Sequence, residues 1–124
     1  MSIISRKIEL IGSKGRAKVE ALFDSGASFS CIPPGLAKKL GVVTPLVLPV
    51  KLGTAARGKK LQVNELVSLQ FRINGYEFLD DFMVVPGLSE ETIIGAKTMQ
   101  AWRIKLDLEN EEVIIDPKAT KLRI

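Results

Sequence analysis

Asp24-Ser25-Gly26 sets a carboxylate, a hydroxyl and a glycine in a row, directly after the apolar pair Leu22-Phe23. Little other chemistry is open to this chain. Its 124 residues contain no histidine and one cysteine, Cys31. That removes Ser-His-Asp and Cys-His catalysis, His-ligated zinc or iron, and thiolate-cluster zinc. No Gly-x-x-x-x-Gly-Lys-Ser/Thr and no Gly-x-Gly-x-x-Gly occurs, so no nucleotide cradle is indicated. Acid–base chemistry would fall to carboxylates alone, and neither a metal nor a cofactor is expected. Taken by itself, Asp-Ser-Gly reads far more often as an Asx-type turn between strands, and it is the rest of the chain that changes those odds.

The elements around Asp24 set its position. From Arg16 to Phe23 the sequence alternates, with Ala17, Val19, Ala21 and Phe23 on one side and Arg16, Lys18 and Glu20 on the other. This period of two predicts a half-buried strand, so Asp24 sits where a strand runs out into a turn of small residues. The backbone of the carboxylate is then held by a sheet while its side chain enters whatever cleft the turn forms.

Composition predicts one soluble domain spanning residues 1–124. Hydrophobic residues make up 46% and charged residues 26%, and the chain is long enough to bury a core without disulfides. No apolar run approaches the ~20 residues that span a bilayer, and the N-terminus lacks a signal-peptide core. A single cysteine forbids an internal disulfide, which fits a reducing compartment. A cytoplasmic location with no membrane partner is the expectation. The net charge is +4, from 18 basic and 14 acidic residues. The cations are spread out, apart from small groups at Arg57-Gly58-Lys59-Lys60 and Lys118 to Arg123, and aromatics are only 6%. These features favour a solvated surface, and no nucleic acid is expected. A nucleic-acid-associated accessory role is a minor alternative.

Along the chain the order is mostly strands. Residues 3–10 read as an edge strand, Gly12 to Gly15 as a turn, and Phe29 to Ile32 as a short strand stopped by Pro33-Pro34. Leu36 and Leu40 lie four apart on one face of a short helix that Gly41 closes. Thr44 to Leu52, with Pro45 and Pro49, reads as an irregular or edge strand. Lys59 to Ile73 is extended again, with a phase shift near Asn64-Glu65 that suggests a bulge. These two runs make a long hairpin whose tip is 53–58, and an ordinary loop would look the same there. Asn74-Gly75 is the strongest hairpin signal and joins Leu69–Ile73 to Tyr76–Val85. Asp80-Asp81 lies in that strand; neighbours on a strand face opposite ways, so neither is assigned chemistry. Thr92 to Ile94 reads as a buried strand ending at Gly95, and Ala96 to Trp102 as a helix with Met99 and Trp102 on one face. Ile104 to Leu108 and Val113 to Ile115 form a last pair, followed by a basic, extended tail.

Three parts of this order resemble the retropepsin-like aspartic proteases, the single-domain relatives of pepsin that include retroviral proteases. They are Leu22-Phe23-Asp24-Ser25-Gly26-Ala27, a glycine-bearing hairpin at about 51–60, and Ile93-Ile94-Gly95 before the helix from Ala96 to Trp102. The resemblance runs from about residue 16 to 116. The insert from Pro33 to Gly41 is more like bacterial and archaeal members than viral ones. Many viral enzymes pair an acid after the signature Ala with an Arg after the Ile-Gly; here Ser28, Ala96 and Lys97 stand instead. The resemblance implies an all-β, closed-barrel-like retropepsin fold with one or two short helices. It also implies an aspartic endopeptidase in which Asp24 is catalytic, with Ser25 and Gly26 supporting the site.

In this family two carboxylates share one proton. One takes a proton from water while the other donates to the peptide carbonyl. Only one Asp-Ser-Gly is present, so the resemblance implies a homodimer with Asp24 from each chain. Residues 3–10 and 118–124, extended and part-apolar with no obvious place in a monomer, agree with that. Ser25 would then bond across to the partner's loop. Ala27 and the hairpin tip Gly53, Thr54, Ala55, Ala56, Arg57 and Gly58 would offer backbone groups to an extended peptide substrate. The alternative is a dimerising or peptide-binding module that keeps the fold without proteolysis.

Overall fold

The computed structural model describes residues 3–53 and 60–120. Strand β1 (Ile3–Ile11) runs antiparallel to β2 (Arg16–Asp24) over its whole length, from Ile3 opposite Asp24 to Ile11 opposite Arg16. The turn between them is tied by the Gly12 N–H donating to the Gly15 carbonyl at 2.8 Å. Ile4, Ile8 and Leu10 of β1 and Val19, Ala21 and Phe23 of β2 are buried. The period-2 pattern thus puts its apolar side inward.

The remaining elements are β3 (Cys31–Ile32), α1 (Pro34–Leu40), β4 (Val43–Gly53), β5 (Lys60–Ile73), β6 (Tyr76–Val84), β7 (Thr92–Ile94) and α2 (Ala96–Ala101). A separate small ribbon joins β8 (Lys105–Asp107) to β9 (Glu112–Ile114). In space the strands run β1-β2-β7-β3-β6-β5, and β5 returns to β1 through Arg72 opposite Glu9 and Gln70 opposite Ile11. Those six close into a barrel, with β4 added outside β5. The fold is therefore all-β with two short helices, as the sequence predicts. Closure pairs β1 with β5 over Glu9–Ile11 and so removes the sheet edge there.

Aromatic packing fills the interior. Phe71 stacks on Phe78 with ring centroids 5.1 Å apart, and Phe82 meets Phe71 edge-on. Trp102 closes edge-on over Phe78 at 5.5 Å, and its Nε1–H donates to the Leu79 carbonyl. Each fully buried side chain of this size contributes roughly 1.5–3 kcal/mol through its burial. Asn74 and Gly75 take φ of 50° and 83°, the positive pair that a type I′ turn needs, and this sets Ile73 opposite Tyr76.

Four expectations change. The strand at 3–10 is an edge only in part: β1 is paired to β2 throughout and also to β5 at Glu9–Ile11, which closes the barrel within one chain, while Ile3–Ile8 pairs on the β2 side alone. The C-terminal segment is not extended where it is described, since Pro117–Thr120 forms a 3-10 turn. The strand expected at 29–32 is limited to Cys31–Ile32. There is no phase shift in β5, where Val63, Val67, Leu69, Phe71 and Ile73 are all buried in one phase. The irregularity lies in β4, where the stretch 46–49 faces only Asn64, between Pro45 opposite Glu65 and Val50 opposite Val63. Pro45 and Pro49 have no N–H to give the ladder, which is why the extra residues collect there.

Candidate active site

Two ladders fix the end of β2. β1 flanks it on one side, and β7 runs parallel to it on the other, with Phe23 opposite Ile94. Phe23 is fully buried, and the next residue, Asp24, is half-exposed at the strand's end. Its Oδ1 accepts a hydrogen bond from the Gly26 N–H at 2.8 Å, and its carbonyl accepts one from the Ala27 N–H at 3.2 Å. The Asp-Ser-Gly turn is thus an Asx turn, and it still presents a carboxylate to solvent. Ser25 and Gly26 are exposed and Ala27 is half-buried. These four residues form one loop, as expected.

The start of α2 grips that loop. The first N–H groups of a helix have no partner within it, and here three consecutive ones turn outward. The Ala96 N–H donates to the Ala27 carbonyl at 2.6 Å and the Lys97 N–H to the Ser28 carbonyl at 3.0 Å. The Gly95 N–H donates to Ser30 Oγ at 3.0 Å. Ser30 Oγ and Thr98 Oγ1 share a hydrogen bond of 2.6 Å, and both residues are buried. Gly95 has to be small: a Cβ there would stand 2.5 Å from the carbonyl carbon and oxygen of Phe29 and 2.9 Å from the Ala27 carbonyl oxygen. Lys97 Nζ lies 4.3 Å from the centroid of the Phe29 ring.

The expected hairpin is present, with β4 and β5 paired out to Gly53 opposite Lys60. Its expected tip residues Thr54, Ala55, Ala56, Arg57 and Gly58 lie outside the described residues. Leu52 and Val63, close to the tip end of the hairpin, belong to a small apolar cluster with Cys31, Met83 and Val85, and Phe29, Leu61 and Ile93 pack against it. One cluster therefore joins the tip end of the hairpin to residues flanking the Asp24 loop. Asp80 and Asp81 hold local structure: Asp80 Oδ1 accepts from the Asp81 N–H, and Asp81 accepts from the Ser68 hydroxyl. Sequence reasoning missed Ser30 and Thr98. Their only signal was a hydroxyl next to apolar neighbours, Phe29 and Cys31 in one case and Met99 in the other.

A closed barrel that ends an inner strand in Asp-Ser-Gly, beside an Ile-Ile-Gly strand leading into a short helix, defines the retropepsin-like class. The profile of one family, described as "gag-polyprotein putative aspartyl protease", matches residues 12–101. The chain belongs to this family. Solved structures agree on the fold. The retroviral protease-like domain of Ddi1 from Leishmania major superposes with a TM-score of 0.70 at 18% identity, covering 94% of this chain and 90% of that one. The protease of Simian Foamy Virus (mac) superposes with a TM-score of 0.50 at 17% identity, covering 80% of this chain and 92% of that one. A search of curated proteins gives no match. Among the described residues no helix is long and apolar enough to cross a membrane.

Proposed function

We propose that this protein is an aspartic endopeptidase, active as a homodimer whose site holds one Asp24 from each chain. The observation that carries this reading is the placement of Asp24. It is half-exposed at the end of a strand held on both sides, within a loop fixed by the Gly26, Ala96 and Lys97 amides. The family and the barrel support it. The dimer follows from the chemistry: the mechanism takes two carboxylates, and the chain contains one Asp-Ser-Gly.

Of the two Asp24 carboxyls, the ionised one takes a proton from a water lying between them. The oxygen of that water forms a bond to the peptide carbonyl carbon, and the protonated carboxyl gives its proton to the carbonyl oxygen. The tetrahedral diol then collapses: one diol hydroxyl returns its proton to the carboxylate that had given it up, the carbonyl re-forms, the C–N bond breaks, and the proton taken from water passes to the leaving amine. Ser25 and Gly26 support the paired loops. Ala27 and the hairpin tip from Gly53 to Gly58 offer backbone groups to an extended peptide, which is recognised as an added strand. The site lies in the cytoplasm.

The test is hydrolysis of a generic unfolded protein by the wild type against Asp24→Asn. The substitution keeps an oxygen that can accept from the Gly26 N–H, so the melting temperature should hold while cleavage stops. Cleavage by a pure Asp24→Asn preparation above trace level would remove Asp24 as the catalyst. An optimum in acid is expected, because two carboxylates in one site work only while they share a proton. A rate that stays flat up to pH 8 would speak for other chemistry.

A further inference from the structure

The geometry points to Ser30 and Thr98 as positioning residues, a buried hydroxyl pair that sets the Asp24 loop in catalytic register from the start of α2. The inference rests on the endopeptidase reading for its kinetic consequence but not for its structural one.

Among the described residues, four hydrogen bonds join α2 and the Gly95 that precedes it to the loop. Three are N–H donations from residues 95, 96 and 97, received by Ser30 Oγ, the Ala27 carbonyl and the Ser28 carbonyl. The fourth is the Ser30–Thr98 hydroxyl bond. Only one acceptor among the three donations is a side chain, and that side chain is the one Thr98 fastens. Ser30 and Thr98 are 1% and 2% exposed, so water does not replace either partner. Ser30 also belongs to the barrel, because its carbonyl accepts the Met83 N–H at 2.8 Å as β3 begins beside β6. Thr98 sits in the first turn of α2, and Asp24 lies at the head of the loop that Ser30 ends. The hydroxyl pair therefore fixes how far the loop slides along α2, and with it where the carboxylate points. No peptide-binding role is assigned to either residue, since both are inside.

The prediction separates positioning from bulk stability. Thr98→Val keeps the shape and removes the hydroxyl, and Thr98→Ser keeps the hydroxyl and removes a methyl. Measured well below the melting temperature, Thr98→Val should lower kcat on the order of tenfold with KM within twofold, because small displacements of reacting groups are costly in rate. Thr98→Ser should restore kcat even where its melting temperature is lower than that of Thr98→Val. Ser30→Ala strips the acceptor from a buried N–H and could unfold the domain, so the Thr98 pair is the deciding one. Amide hydrogen exchange gives the second readout. In Thr98→Val the Gly95, Ala96 and Lys97 amides should exchange faster, while those of β5 and β6 around Phe71 and Phe78 keep their protection. Wild-type kcat in Thr98→Val, a change in KM alone, or no rescue by Thr98→Ser would overturn the inference. A wild type that cleaves no better than Asp24→Asn would instead defeat the endopeptidase reading. The exchange result would then decide the clamp alone, and unchanged protection at residues 95–97 would overturn it.

Discussion

Gly95→Ala perturbs the candidate site without touching any group that does chemistry. Gly95 has φ of −93°, which any residue adopts, so the substitution meets no backbone penalty and acts through space alone. The added Cβ would lie 2.5 Å from the Phe29 carbonyl and 2.9 Å from the Ala27 carbonyl oxygen. Ordinary contact begins near 3.4 Å, so α2 and the loop must part by about 0.9 Å, the difference between 3.4 and 2.5 Å. Neither obstacle is a flexible side chain; both are backbone of the segment that carries Asp24. The Ala96 to Ala27 bond, at 2.6 Å, stretches towards its limit with that movement. Overpacking of this kind costs about 1–3 kcal/mol. For a chain of this length it lowers the melting temperature by roughly 4 °C per kcal/mol. A shift of about 1 Å in a reacting carboxylate reduces the rate by up to about 100-fold. Steady-state kinetics on an unfolded protein substrate, at a temperature where the variant is folded, read the second effect apart from the first. Wild-type kcat in a Gly95→Ala protein of lowered melting temperature would refute the claim that α2 sets the geometry of Asp24.

Two further predictions concern the barrel. Burial, with a smaller contribution from Glu90, pushes the Cys31 thiol up to about 11. The fold therefore favours the neutral thiol: its contribution is complete below about pH 9 and is lost as pH rises through about 11, up to about 3 kcal/mol in all. Urea unfolding of wild type and Cys31→Ala from pH 8 to 11 should show the wild type losing more stability across that window, and parallel curves would contradict this. Phe78→Ala removes a ring packed between Phe71 and Trp102 and should cost about 3–5 kcal/mol. A loss under about 1.5 kcal/mol in the same assay would mean that the aromatic cluster is not the centre of the core.

What the sequence made legible was local. The alternation at 16–23, the two positive-φ positions of Asn74-Gly75 and the Leu36–Leu40 spacing each decide a short element without help from elsewhere. The closure of the barrel was not legible, because pairing of Glu9 with Arg72 depends on where a distant strand arrives. Residues 3–10 accordingly looked like an edge. The phase shift expected near Asn64-Glu65 of β5 is instead an irregularity of β4, whose prolines are where ladder bonds are missing. At the site, the Asp24 turn was visible and its fastening was not. Ser30 and Thr98 are 68 residues apart in sequence, and a buried hydroxyl pair leaves no periodic trace.

The central claim is that one site draws Asp24 from two chains, and mixing tests it most directly. Wild type is held at fixed concentration and exchanged with a ninefold excess of Asp24→Asn before activity is measured. If mixed dimers are inactive, only wild-type chains that find a wild-type partner work, and activity per wild-type chain falls to about a tenth. Activity per wild-type chain that stays constant across the mixture, with exchange confirmed by labelled subunits, would contradict a shared site.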